Sequence, residues 1–167
     1  MLTEWSNRIK RDADEEWLTA SQRRVYDQVT QGWRAAPFVC ICGHEGSGKS
    51  FIARLLAKQS DYFLVTALSE VGEASANVIV DGERYHRLWR PVAQMKGIRR
   101  VIVLSRTAPL DPMPVAQLAL GEHDVRQFKH NLTKHKVLDS FAVDHEGKNL
   151  WQILMDEAFA RGGVHNG

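Results

Sequence analysis

The chain has 167 residues, 44% hydrophobic and 25% charged, with a formal net charge of +2. That is the length of one domain with a proper core, and the composition is that of an ordinary globular protein rather than a disordered or fibrous one. No run approaches the eighteen or so apolar residues that span a bilayer, and the charged start MLTEWSNRIKRDADEEW has no signal-peptide core, so a cytoplasmic protein with no membrane partner is expected.

Residues 1–20 read as a charged helix offering Leu2, Trp5, Ile9 and Trp17 for contact. Thr19 or Ser21 then supplies an N-cap for a second helix over 22–33, with Tyr26, Val29 and Trp33 on one stripe. Pro37 breaks that helix. Trp5, Trp17 and Trp33 serve either a docking surface or the core.

The stretch FVCICGHEGSGKSFIARLL (38–56) is an apolar strand, a glycine-rich turn and an amphipathic helix. Gly43, Gly48, Lys49 and Ser50 stand at the spacing G-x-x-x-x-G-K-[ST]. Glycines let the backbone curl so that successive N–H groups face an anion, and the helix beginning near Lys49 adds its positive end. Cys40 and Cys42 alternate on the strand and read as buried structural thiols, because C-x-C alone does not make a metal or redox site.

YFLVTAL (62–68) is a second strand, and NVIVD (77–81) a third that ends on Asp81. A helix over 84–96 carries Tyr85, Leu88, Trp89, Val92 and Met95 at helical spacing, with Pro91 expected to kink or break it. RVIVL (100–104) is the fourth strand and leads into Ser105, Arg106 and Thr107; in open α/β sheets ligands bind at that end. A proline-rich loop over 108–114, a short apolar segment over 115–120 and a helix over 122–136 follow. VLDSFAV (137–143) reads as the fifth strand, and 148–161 as a last amphipathic helix. The strand–helix alternation implies an α/β fold with a five-stranded, mainly parallel sheet.

On Gly43, Gly48, Lys49 and Ser50, in their strand–turn–helix context, the chain resembles the P-loop NTPase superfamily. The resemblance implies a three-layer α/β sandwich with a P-loop, the P-loop strand placed centrally, and ATP or GTP bound with Mg²⁺. It carries nucleotide contacts over to Gly43, Glu45, Gly46, Ser47, Gly48, Lys49, Ser50 and Phe51, and metal holding to Ser50 and Asp81. Catalytic roles fall to Lys49, Asp81, Glu83 and Arg106. The organisation expected is a single domain over 1–167, with helices over 1–35 and a nucleotide-binding core over 36–161.

Several parts stay open. Members that hydrolyse ATP often carry a glutamate beside the acid; here Gly82 stands there, so Glu83 or Glu45 would have to swing in, or hydrolysis is weak. Thr19 and Gln22 resemble the pair of helicase-like NTPases whose glutamine reads adenine, the alternative being a solvated glutamine in a first helical turn. Ser105 or Arg106 resembles the γ-phosphate sensor of AAA+ and STAND ATPases, and LDPMPVAQLALGEHDVRQF (110–128) their sensor-to-helix passage.

Charge is uneven along the chain. Between 84 and 136 there are eleven Lys or Arg against three acids. That stretch is either a patch for nucleic acid or an acidic protein, or a set of solvated helix faces. Its histidines lack compact metal-ligand spacing.

Three functions compete. The first is a small NTPase of the AAA+/STAND kind, working in a larger assembly with a protein partner or further copies of the chain. The second is a kinase transferring the γ-phosphate to a hydroxyl, for which the run Asp81-Gly82-Glu83-Arg84-Tyr85 speaks. The third is a binding module without catalysis.

Overall fold

The computed structural model describes residues 1–59, 62–67, 70–72, 77–82, 89–145 and 147–162. Its frame is set by short β-rich runs that bury side chains on both faces. β1 (Phe38–Gly43), β2 (Tyr62–Val65), β3 (Asn77–Val80), β4 (Arg100–Ser105) and β5 (Val115–Leu118) form one sheet, ordered β2-β3-β4-β1-β5 and parallel throughout. Such a sheet needs cover on both faces, which explains the near-continuous apolar strands.

The two-residue period sorts those strands into two cores. Val39 and Ile41 of β1, Ile79 of β3, and Ile102 and Leu104 of β4 pack with α2 (Ala20–Asp27) and α3 (Lys49–Gln59). Val78 and Val80, with Val101 and Val103, point the other way and pack with Ala93 of α4 (Trp89–Met95). Pro91 lies in the first described turn of α4, where no intrahelical N–H bond is lost. A third cluster joins α1 (Leu2–Asp12), α5 (Glu122–Lys134) and α6 (Leu150–Gly162) through Ile9, Phe128, Leu132, Ile153 and Leu154. The result is a three-layer α/β sandwich.

The N-terminal helix is shorter than expected. It ends at Asp12, and Asp14 then accepts the Glu16 N–H at 2.8 Å to start a separate 3₁₀ turn over Glu15–Trp17. Trp17 is buried and stacks on His135 with centroids 4.1 Å apart, so it belongs to the core. α2 begins at Thr19 with a capping box closed by Gln22 and runs on as a π-turn over Gln28–Gly32. Arg100 is buried beneath that turn and donates to the carbonyls of Val29 at 2.7 Å and Trp33 at 3.0 Å.

The fifth strand is Val115–Leu118, correcting the expectation that it lies at 137–143. It pairs with β1, Cys40 opposite Val115 and Gly43 opposite Leu118. β1 is therefore interior, and β4 is the middle strand. Residues 137–143 run as a loop, and several of its N–H groups find acceptors without a partner strand. Val137 donates to the Leu132 carbonyl, while Ala142 and Val143 donate to the buried carboxylate of Glu157 at 2.8–3.0 Å.

Candidate functional site

Register brings the ends of three strands to one edge. Cys42 of β1 is level with Ser105 of β4, and Val80 of β3 with Val103, so the residues that follow β1, β3 and β4 emerge side by side. Gly43–Ser50, Asp81 and Arg106 are those residues. Of these, Glu45, Gly46, Gly48, Lys49, Ser50, Asp81 and Arg106 line a cleft of about 530 Å³ that continues toward the helical cluster. Glu45, Lys49, Ser50, Asp81, Ser105 and Arg106 line its polar part; Ile9, Trp17, Phe51, Phe128, Leu150 and Leu154 line an apolar part.

The loop between β1 and α3 is held from both sides. Gly46 and Gly48 have φ of +73° and +95°, backbone that side chains rarely tolerate. A Cβ at position 48 would run into the Gln22 amide, and one at position 46 into the Asn149 side chain. Asn149 caps α6, accepting the Gln152 N–H at 2.9 Å. Gln22 is buried and donates to the Ser47 carbonyl at 3.1 Å, while its Oε1 accepts the Thr19 N–H at 3.0 Å. The expected alternatives, a base reader or a solvated residue, both missed this tie; a buried amide within reach of a loop carbonyl is invisible to spacing.

Lys49 Nζ donates to the carbonyls of Gly43 at 2.6 Å and His44 at 2.8 Å. Burial pulls its pKa below the ordinary lysine value, Asp81 opposes that shift, and Arg106 adds to it. The ammonium thus sits in the field of both Asp81 and Arg106. Asp81 is half-buried, with its N–H on the Val65 carbonyl at 2.9 Å. Arg106 Nη2 lies 3.0 Å from Glu45 Oε2, an ion pair across the mouth of the cleft. Ser105 Oγ donates to the Thr107 carbonyl at 2.6 Å, which leaves Arg106 as the strand-end group that reaches the mouth of the cleft and pairs with Glu45.

Ser50 is exposed at the start of α3, and Phe51 lines the apolar part. Ser47 Oγ is buried and has no hydrogen-bond partner among the described residues. Glu83 lies outside the described residues. Among the described residues no three His, Cys, Asp or Glu side chains gather into a metal-holding set. Magnesium, however, keeps several waters and asks the protein for only one or two ligands besides substrate phosphate.

The basic stretch divides among separate jobs. Arg100 is buried under the π-turn, Arg90 donates to the Pro112 carbonyl and lies over the Phe38 ring, Lys134 pairs with Glu16, and Arg106 faces the cleft. Cys40 and Cys42 are free and buried, and burial pushes the Cys40 thiol up to about 12, which keeps it unreactive.

Among the described residues no helix is long and apolar enough to cross a membrane. Neither known protein families nor curated proteins provide a match to this sequence. The apolar wall of the cleft was not foreseen, because its residues come from α1, the 3₁₀ turn, α3, α5 and α6, which lie far apart in the chain.

Proposed function

We propose that this protein binds ATP or GTP on the loop 43–51 and hydrolyses the γ-phosphate bond. The observation that carries the reading is the convergence of Lys49, Asp81 and Arg106 at one edge of the sheet. It follows from the strand order, since β4 runs between β1 and β3 and delivers Arg106 between the other two. A lysine, a carboxylate and an arginine around a glycine-rich turn suit a polyanion whose charge shifts during reaction.

The loop also fits a phosphate chain. The Ser47 hydroxyl, without a partner among the described residues, lies within it, and its glycines admit no side chain that would fill the space. Lys49 exchanges its carbonyl partners for phosphate oxygens, a stronger charge-assisted bond. The helix N-terminus at Lys49 and Ser50 adds to the attraction. Ser50 and Asp81 would hold Mg²⁺, which neutralises phosphate charge when bound. Arg106 stabilises charge at the γ-phosphate. The base lies along Phe51, Phe128, Leu150 and Leu154, an apolar wall of the kind that flat ring systems favour.

The test is γ-phosphate release from ATP and GTP with Mg²⁺, alone and with added single- or double-stranded DNA or RNA. Release by the wild type, lost in Lys49→Ala, is the expected result. Label passed to a hydroxyl acceptor would move the kinase reading to the front. Binding without either outcome would leave a nucleotide-dependent switch.

A further inference from the structure

We infer that Glu45, within the glycine-rich loop itself, is the residue that takes the proton from the attacking water. This rests on the hydrolytic reading above and names the general base that reading leaves unassigned.

The first observation is steric. A Cβ at position 82, directly after Asp81, would lie 2.5 Å from the Thr66 backbone carbonyl oxygen, with the β2 end already tied to the Asp81 N–H. A backbone oxygen directly after the paired strand β2 cannot yield as a flexible side chain would. The position beside Asp81 is therefore closed to a glutamate, and Gly82 is required by the packing of β2 against β3.

The second concerns which carboxylates remain. Among the described residues lining the cleft, the acids are Asp81 and Glu45. Asp81 is committed to the lysine and metal side. Glu45 stands two residues after Gly43 on the loop that would wrap the phosphates, close enough to Lys49 to act on its charge.

The third is electrostatic. A carboxylate on a phosphate-binding loop opposes nucleotide binding, so binding alone does not account for it. Its partner is Arg106, and the pair is exposed on both sides, 74% for Glu45 and 59% for Arg106. So exposed a pair is easily broken. An incoming γ-phosphate competes for Arg106 and leaves the Glu45 carboxylate free beside it.

The step balances. Water oxygen bonds to the γ-phosphorus, and its proton passes to a Glu45 carboxylate oxygen. The bond from the γ-phosphorus to the β–γ bridging oxygen breaks, and its electron pair leaves with the nucleoside diphosphate. Orthophosphate departs, and Glu45 returns its proton to solvent.

Glu45→Gln keeps an oxygen for Arg106 but cannot take the proton. The experiment compares wild type, Glu45→Gln and Glu83→Gln for equilibrium binding of Mg·ATP and for single-turnover release of γ-phosphate, with melting temperature as the check on folding. Expected for Glu45→Gln is binding equal to or tighter than wild type, with release slowed by about 100-fold or more. Release at the wild-type rate, or slowing confined to Glu83→Gln, overturns the inference. Weakened binding in step with release also overturns it, because that is the mark of a structural loop residue. A wild type that binds Mg·ATP but releases no phosphate overturns the hydrolytic reading itself, and this inference with it.

Discussion

The side-chain amide of Gln22 bridges two backbones: it accepts the Thr19 N–H at 3.0 Å and donates to the Ser47 carbonyl at 3.1 Å. One buried residue thereby caps α2 and fixes the glycine-rich loop against it. Helix start and glycine-rich loop are mechanically one unit, though 25 residues separate the two partners.

Gln22→Ala is expected to destabilise the fold by about 1–3 kcal/mol, because it leaves a buried donor and a buried acceptor unpaired. Gln22→Glu retains the oxygen that caps α2 and loses the donor to Ser47. It should fall between the two in stability while still weakening nucleotide binding. Urea unfolding and a binding titration on both variants measure the two effects; a neutral Gln22→Ala would contradict the bridge.

Gly48→Ala meets two obstacles, a φ of +95° and the Gln22 amide in the path of its Cβ. The backbone cost alone is about 1–3 kcal/mol. The loop must deform or expel Gln22, so nucleotide binding should fall more steeply than stability. Gly97, also at positive φ but with nothing within 4 Å of a Cβ, supplies the control: Gly97→Ala should lose stability and leave binding intact.

Glu157 is fully buried and receives the N–H groups of Ala142 and Val143, with Arg161 Nε at 3.4 Å. Its removal strands those donors and should cost about 3 kcal/mol. Glu157→Gln keeps one oxygen acceptor and should cost less. Chemical denaturation of Glu157→Ala and Glu157→Gln gives the comparison; equal losses would show that a single amide oxygen does not replace the carboxylate as acceptor.

His145, also fully buried, lies 3.4 Å from Glu157 without hydrogen-bond alignment. Burial pulls its pKa below the ordinary 6.5, Lys129 pulls the same way, and Glu157 and Asp156 oppose. The folded protein therefore holds this imidazole neutral where the unfolded chain begins to protonate it. The stability this contributes is fully present above about pH 6.5 and is lost as pH falls through the folded value. Melting temperature should drop between pH 7 and 5 more steeply in wild type than in His145→Leu. Parallel curves would rule out His145 as the source.

Much of the sheet was legible because buried parallel strands are short apolar runs, and 38–42, 77–81 and 100–104 each matched a strand to within a residue or two. The glycine-rich turn between β1 and α3 was legible because its backbone demands glycine at particular places. The fifth strand was not. VLDSFAV has strand-like composition, and only the pairing of Val115–Leu118 with β1 and the use of Glu157 as an acceptor for the 142–143 backbone decide the matter. Trp17 looked available for contact until His135, more than a hundred residues on, stacked against it. Gly82 read as a departure from an expected pattern, and its reason, the Thr66 carbonyl, belongs to the chain just after β2. Local pattern carries local structure; each miss was a contact between distant segments.

The most direct measurement is the affinity of wild type and Lys49→Ala for ATP and GTP with Mg²⁺, alongside their melting temperatures. Lys49 Nζ rests on the carbonyls of Gly43 and His44, which the proposed site has it exchange for phosphate oxygens. Losing its charge-assisted bonds should weaken binding by about 10- to 100-fold, at about 1.5–3 kcal/mol per bond, with the fold retained. Equal affinity in the two proteins, or no binding by wild type, would contradict a nucleotide site on this loop.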